Sequence, residues 1–504
     1  MVRTRKIAVA IDDRAEFHNN VDFCVGTGRI GLALSREYMD QLRFVQEHIG
    51  FRHIRGHGLF SDDMSIYHEY RDGDDVRVEY NFTYLDRVMD DYHRLGIRPF
   101  LELGFMPSKL ARGTQTLFYW RANTTPPRDY DAWCDLVTST LSHLVERYGD
   151  EAYEYPIEVW NEPNLPGFWE HADMKEYFRL FSATFRAIKA LDSRFLVGGP
   201  AVCGGTDEIW IKAFMEFCRD EGLRPDFVTR HHYTIEHPEE VGHYAYAKLM
   251  QPEYGFSNLQ TTRDIIDSFE EFRGLPIHIT EFNSSYTPKG VIHDTNLNAA
   301  YLAQQLSRLG DVNESYSYWT FGDVFEELGV PYTIFHGGFG LVAEGCVPKP
   351  TFWTFVFYKK LKEAGDVCVH KDDECVIVRT ADGGYAGVLW NIAVNGSDAK
   401  SLTLSLPGEV ESCLVTRTVD ENDCNPLRVW HDMGEHPHPD ENELKLLRDA
   451  ATPLVRTERI CPVDGTLTHT FNVGKNGVVY FEIRPSEIKS DRGYDYGRVA
   501  GQTL

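Results

Sequence analysis

The chain has 504 residues, of which 42% are hydrophobic, 13% aromatic and 25% charged. At about 100–200 residues per domain, this allows two to four domains or one large barrel with additions, and it excludes dominant disorder. The formal net charge of −26 repels phosphate, which weighs against nucleic acid and anionic membranes as partners but not against a neutral small molecule.

The N-terminal stretch MVRTRKIAVAIDDRAEF has too short an apolar core for a signal peptide. Ile7-Ala8-Val9-Ala10-Ile11, within residues 5–13, reads as a strand that joins a distant sheet. Short apolar runs then recur at Phe23–Val25, Arg52–Arg55, Arg98–Leu103, Pro156–Trp160, Phe195–Gly199, Asp226–Arg230, Pro276–Thr280 and Tyr316–Thr320. Helical spacing separates them, as in Glu37–Ile49, Tyr130–Tyr148, Lys175–Leu191 and Asn296–Leu309. Strands alternating with helices predict parallel βα units, and eight of them predict a (β/α)8 TIM barrel over residues 15–335. A doubly wound open sheet is the competing arrangement, but no glycine-rich phosphate loop follows the first strand.

Beyond Gly340 the pattern changes. Lys349–Ala364 predicts one helix, followed by strands of period two. Asp382-Gly383-Gly384 and Lys475-Asn476-Gly477 predict two hairpins. Residues 345–490 therefore read as an accessory antiparallel β-sandwich, and 491–504 as a charged tail available for assembly. No run of roughly 18 apolar residues suggests a membrane helix. The ten cysteines are scattered without metal or redox spacing, so reduced thiols and a cytoplasmic location are expected.

Barrel enzymes carry their chemistry at the C-terminal ends of the strands. Strand four ends in Trp160-Asn161-Glu162-Pro163 and strand seven in Thr280-Glu281-Phe282-Asn283. Two glutamates thus face one mouth from opposite sides, at a plausible spacing of about 5–6 Å, as in a retaining glycosidase. One carboxyl must hold a proton for the leaving oxygen, and the other must be bare to attack the anomeric carbon. We assign Glu162 as general acid/base and Glu281 as nucleophile, with Asn161 binding a sugar 2-hydroxyl. His231 and His232 are adjacent and point to opposite faces, so no metal site is expected, nor any cofactor. His231 is expected to face the pocket and bond sugar hydroxyls, and Tyr233 to hydrogen-bond the nucleophile. His57 is a hydroxyl ligand by the same logic, and Trp319 a stacking floor. Phe118, Phe168 and Tyr286 are candidate loop aromatics at the sugar site.

The strings CVGTGRIGLAL, IRGHGL, EVWNEPN, HITEFN, SYWTF, DVFEE and FHGGFGLV together resemble glycoside hydrolase family 39, most of all its bacterial β-xylosidases, across essentially the whole chain. Tyr155 and Ile157 depart from the family pattern at what read as packing positions. The resemblance implies an exo-acting, retaining β-D-xylosidase that releases xylose from short xylo-oligosaccharides. It implies the same roles for Glu162 and Glu281, a hydroxyl ligand at Glu326, and a homo-oligomer, often a tetramer. α-L-Iduronidase activity would need Lys or Arg for a uronate, and no such cluster stands at the strand ends, Arg230 being expected to point away from the mouth. An endo-xylanase is a third reading. A non-catalytic sugar-binding barrel would be expected to lack one of the two glutamates.

Overall fold

The structure is a computed structural model that describes residues 3–73, 75–324, 327–393, 399–486 and 493–501. Eight parallel strands close into a barrel. They are β1 (Cys24–Arg29), β2 (His53–His57), β3 (Arg98–Leu103), β4 (Ile157–Val159), β5 (Val197–Val202), β6 (Phe227–Tyr233), β7 (Ile277–Asn283) and β8 (Ser315–Tyr318). Each predicted apolar run contributes to one of them. Both faces of every strand are covered, which is why the runs are continuously apolar rather than alternating.

The helices have identifiable starts. Asp129 accepts the backbone N–H groups of Asp131 and Ala132 at the head of Tyr130–Tyr148, and Asp173 does the same for Lys175 and Glu176 at Met174–Leu191. The predicted helix after the barrel runs from Pro350 to Ala364 with proline in its first turn. It packs beside Asn296–Arg308, whose Ala299, Ala300 and Ala303 are fully buried because that helix lies between the barrel and the accessory sheets.

The accessory region holds two packed sheets. The six-stranded sheet runs in the order Val367–Lys371, Cys375–Arg379, Tyr385–Asn391, Gly477–Pro485, Ser412–Val419, Leu454–Ile460. The second sheet has three strands, Arg3–Ala8, Lys400–Pro407 and Thr466–Val473. Ile7, Leu402, Leu404 and Phe471 face Leu389, Leu414, Phe481 and Ile483 in a shared core.

Three details differ from the expectation. The N-terminal strand ends at Ala8, where Asp13 accepts the Ala10 N–H and turns the chain, and it pairs parallel to Lys400–Pro407 rather than antiparallel. Asp382-Gly383-Gly384 does join two paired strands. Lys475-Asn476-Gly477 does not, because Thr466–Val473 pairs with Lys400–Pro407 while Gly477–Pro485 pairs in the other sheet. The turn carries the chain between sheets, and Phe471 meets Phe481 across them at 4.9 Å. Two helices, Pro426–Asp432 and Glu441–Ala450, were not anticipated.

A buried cation joins the accessory region to the barrel mouth. Lys349 is fully buried, with Nζ 2.7 Å from both Asp294 and Asp323 and donating to the Gly338 carbonyl at 2.8 Å. The two aspartates in turn accept the N–H groups of Gly337 and Gly340. This knot fixes the loop that carries Phe339. Lys349→Ala leaves two carboxylates buried without their cation. It is expected to lower stability by about 3–5 kcal/mol, read as a lower urea midpoint with an unchanged slope.

Candidate active site

The mouth of the barrel opens into a cavity of about 430 Å³ lined by His57, Asn161, Glu162, Glu281, Trp319 and Glu327, among others. Backbone conformation aims the first glutamate. Trp160 and Glu162 have φ values of 73° and 42°, a left-handed region that costs a non-glycine residue energy and recurs at functional sites. These two reversals place Asn161 and Glu162 on the cavity wall one after the other, and the Glu162 N–H is held by the Ala201 carbonyl at 3.0 Å. Glu281 is aimed by a bulge. The register of β6 with β7 skips between Arg230/Ile279 and His231/Glu281, so Thr280 and Glu281 are offset from strict alternation.

One oxygen of each glutamate and a ring nitrogen of His231 lie within 4.8 Å of one another. The two carboxyls differ in surroundings. Glu162 takes its direct side-chain bond from His231 Nδ1, at 2.8 Å, and burial pushes its pKa up to about 7, against the opposing pull of His57 and Arg55. Glu281 accepts from Arg55 Nη1 at 2.7 Å and from the Tyr233 hydroxyl at 2.8 Å. Those two donors fix where its oxygens lie.

Arg55 is the hub. Its Nε donates to Glu158 at 2.6 Å, its Nη2 to Asn161 Oδ1 at 2.7 Å, and Nη2 also lies 3.0 Å from Glu102. With Asn161 Oδ1 thus taken, the buried Nδ2 has no partner among the described residues and remains a free donor on the cavity wall. His57 Nδ1 lies 2.6 Å from Glu102, while its Nε2 is 3.6 Å from Glu281.

Of the predicted site residues, His57, Asn161, Glu162, Phe168, Tyr233, Glu281, Tyr286 and Trp319 line the cavity. Trp319 is buried with its ring centroid 4.7 Å from that of His57. His231 does not line the cavity. It is fully buried between the two glutamates, 2.8 Å from Glu162 and 3.4 Å from Glu281, and burial lowers its pKa to about 4. Both carboxyl contacts use its Nδ1, and its buried Nε2 has no hydrogen-bond partner among the described residues. Phe118 also stands back, packed behind His57 and against Trp120 and Phe168. Glu326 lies outside the described residues. Its neighbour Glu327 lines the cavity, and burial together with the charges of Glu281 and Glu162 raises its pKa well above the usual range.

Sequence reasoning missed Arg55, Glu102 and Glu158. The available signal was a charge at an inward position within an apolar barrel run. Arg230, expected to point away from the mouth, is among the residues lining the cavity, but it is tied to Thr262 at 2.8 Å and Asp207 at 3.2 Å and so offers no unpaired charge. Among the described residues two groups are close enough to share a cation, Glu162–His231–Glu281 and His370–Asp372–Cys375. In the first, protein groups already contact both Glu281 oxygens and Glu162 Oε1, and in the second Arg5 sits 2.7 Å from Asp372.

The model for glycosyl hydrolases family 39 matches residues 6–468. This chain belongs to glycosyl hydrolase family 39. It is 45% identical over 502 residues to a β-xylosidase of Geobacillus stearothermophilus, covering 98% of each chain. It is 32% identical to a β-xylosidase of Caldicellulosiruptor saccharolyticus over 85% of this chain and 87% of the other. Among solved structures, a monomeric β-xylosidase from Caulobacter crescentus superimposes with a TM-score of 0.86 at 31% identity, covering 96% of this chain and all of that one. As a family 39 member the protein is a glycoside hydrolase with a TIM barrel. No helix among the described residues is long and apolar enough to cross a membrane.

Glu162 can donate only while protonated. With its pKa at about 7, kcat/KM on a glycoside with a poor leaving group is expected to fall about tenfold per pH unit above that value. Glu162→Gln is expected to remove this alkaline limb along with about 10²–10⁴ of the rate.

Proposed function

We propose that the protein is a retaining, exo-acting β-D-xylosidase that removes xylose from the non-reducing end of short xylo-oligosaccharides. The observation that carries this reading is the approach of the Glu162 and Glu281 oxygens to within 4.8 Å. Retaining pairs stand at about 5–5.5 Å, whereas inverting pairs need about 6.5–9.5 Å to admit a water. The Geobacillus and Caldicellulosiruptor relatives supply the sugar.

In the first step Glu162 gives its proton to the glycosidic oxygen as Glu281 attacks the anomeric carbon. A glycosyl ester forms on Glu281 and the aglycone leaves as an alcohol. In the second step Glu162, now a carboxylate, takes a proton from water, and the water oxygen displaces Glu281. Asn161 Nδ2 meets the sugar 2-hydroxyl, and Tyr233 and Arg55 hold Glu281 bare between turnovers. Trp319 forms the floor under the ring. Glu327, held neutral by its surroundings, donates to a sugar hydroxyl in the role first expected of Glu326.

A cytoplasmic setting is supported by the ten free cysteines. Assembly with further copies is supported by Tyr494, Tyr496 and Val499, all exposed on the tail, and its test is the mass in solution.

An aryl β-D-xyloside is expected to be turned over by the wild type and not detectably by Glu281→Ala. Azide should restore turnover to Glu281→Ala with an α-xylosyl azide as product, and to Glu162→Ala with a β-xylosyl azide. No turnover by the wild type across a panel of aryl β-glycosides removes the reading, and exchange of the two azide products reverses the roles.

A further inference from the structure

Beneath the catalytic pair lies a carboxylate that the two-step reaction never uses. Glu158 sits in β4, four residues before Glu162, and its side chain is fully buried inside the barrel. It stands opposite Glu102 in the pairing of β3 with β4. Like charges in directly opposed positions destabilise a sheet, and unpaired buried carboxylates cost still more. This sheet carries such a pair at its centre.

Both Glu158 oxygens are committed. Oε2 accepts from Arg55 Nε at 2.6 Å, and Oε1 accepts from the Thr280 hydroxyl at 2.7 Å. Thr280 immediately precedes the nucleophile. Arg55 is a planar fork whose five donors hold fixed mutual angles. Once Glu158 takes Nε, the remaining edge can turn only about one axis. That edge carries Nη1 to Glu281 and Nη2 to Asn161. A single carboxylate on the acid/base strand thus sets the direction of the arginine that grips the nucleophile, and also grips the nucleophile's own strand.

We propose that Glu158 is a positioning residue that aligns Glu281 and Asn161 through Arg55 and Thr280 and, by offsetting the Arg55 charge, keeps Glu281 nucleophilic. The proposal rests on the double-displacement reading of this site. Without Glu158, Arg55 would spend its whole charge on Glu281 and Glu102. A carboxylate held that tightly by a cation attacks poorly.

Other charged and titratable groups bear on the pair. Facing Glu281 are His57 from β2, Glu162 from β4, His231 and Tyr233 from β6, and Glu327 from the loop after β8. Near Glu158, besides Arg55 and Glu102, are Cys24 of β1, Tyr177 of the helix after β4, and His231. Arg55 is the only one of these that carries a fixed positive charge, so the loss of Glu158 is felt mainly through it.

The test is a pH–rate profile of Glu158→Gln on an aryl β-xyloside, beside the wild type. Glutamine keeps the shape and can still accept from Arg55, so it removes charge before geometry. We expect kcat/KM to fall about 10- to 100-fold, with most of the loss in kcat. The acid limb, which reports ionisation of the nucleophile, should move down by about half a pH unit or more. A thermal melt checks that the variant is folded. Thr280→Val removes the hydroxyl without changing charge, and should lower kcat/KM with both limbs in place. Glu158→Gln that stays within about threefold of wild type with unmoved limbs overturns the proposal, and so does a Thr280→Val variant indistinguishable from wild type. Should Glu158→Gln fail to fold, Thr280→Val still decides. Wild-type turnover and the azide products report on the double-displacement reading separately, so a failure of one is not mistaken for a failure of the other.

Discussion

One guanidinium holds the barrel mouth together. Arg55 is fully buried and reaches three carboxylates, those of Glu102, Glu158 and Glu281, at 2.6–3.0 Å. A buried charge persists only where it is paired and hydrogen-bonded. The cation could not remain buried without carboxylates beside it. The consequence for chemistry is an asymmetry. Glu281 lies inside this charged cluster, gripped by Arg55. Glu162 lies at its edge, bonded to a neutral histidine, and burial lets it keep a proton to about pH 7. Two side chains of the same type thus stand in different surroundings, one against the arginine and the other buried against the histidine.

The barrel's interior is layered so that this cluster can exist. At the N-terminal end Phe23, Phe100, Phe227 and His278 pack ring against ring, with centroids 4.9–5.7 Å apart where they touch. That plug is nearly apolar, and burial holds His278 neutral by lowering its pKa to about 3. Further along the strands come Glu102, Glu158, Arg55 and Thr280, polar and tied to one another, although Glu102 Oε1 has no hydrogen-bond partner among the described residues. Only beyond them does the cavity open. The side chains of Arg55, Glu102 and Glu158 are fully buried, so the Coulomb interactions among them are stronger than they would be in water. The bulge at Thr280/Glu281 makes the layering possible on β7, since strict alternation would send one of those two side chains out of the barrel.

The strands were legible because burial on both faces writes a continuous apolar run, and Arg98–Leu103 is bounded in the structure as its run suggested. The glutamates were legible because they end such runs at matched places. The charged layer was not. Arg55, Glu102 and Glu158 are inward by register, but whether an inward charge is tolerated depends on partners from three other strands, which no local pattern records. The contacts of His231 were hidden for the same reason, since its Nδ1 meets carboxyls that two other strands bring to it. The turn at Lys475-Asn476-Gly477 has a hairpin's residues without a hairpin's pairing. Its partner strands are chosen by the face that must cover Leu402, Leu404 and Phe471, a choice made by the sandwich core and not by the turn.

The local charge also bears on what the cavity accepts. Glu162, Glu281 and Glu327 line it, with Glu102 and Glu158 just beneath. The arginines within reach are both spent, Arg55 on those carboxylates and Arg230 on Asp207 and Thr262. A sugar carrying its own carboxylate would bring a further negative charge into this group with no unpaired guanidinium among the described residues to meet it, at a cost that grows as water is expelled. A neutral pyranose carries no such penalty and finds free donors, such as Asn161 Nδ2, where its hydroxyls would lie. Of the three carboxyls around the cavity, Glu281 stands against Arg55, while burial favours the protonated form of Glu162 and Glu327. The penalty on a uronate therefore comes mainly from the two arginines being engaged already and from the carboxylates beneath them.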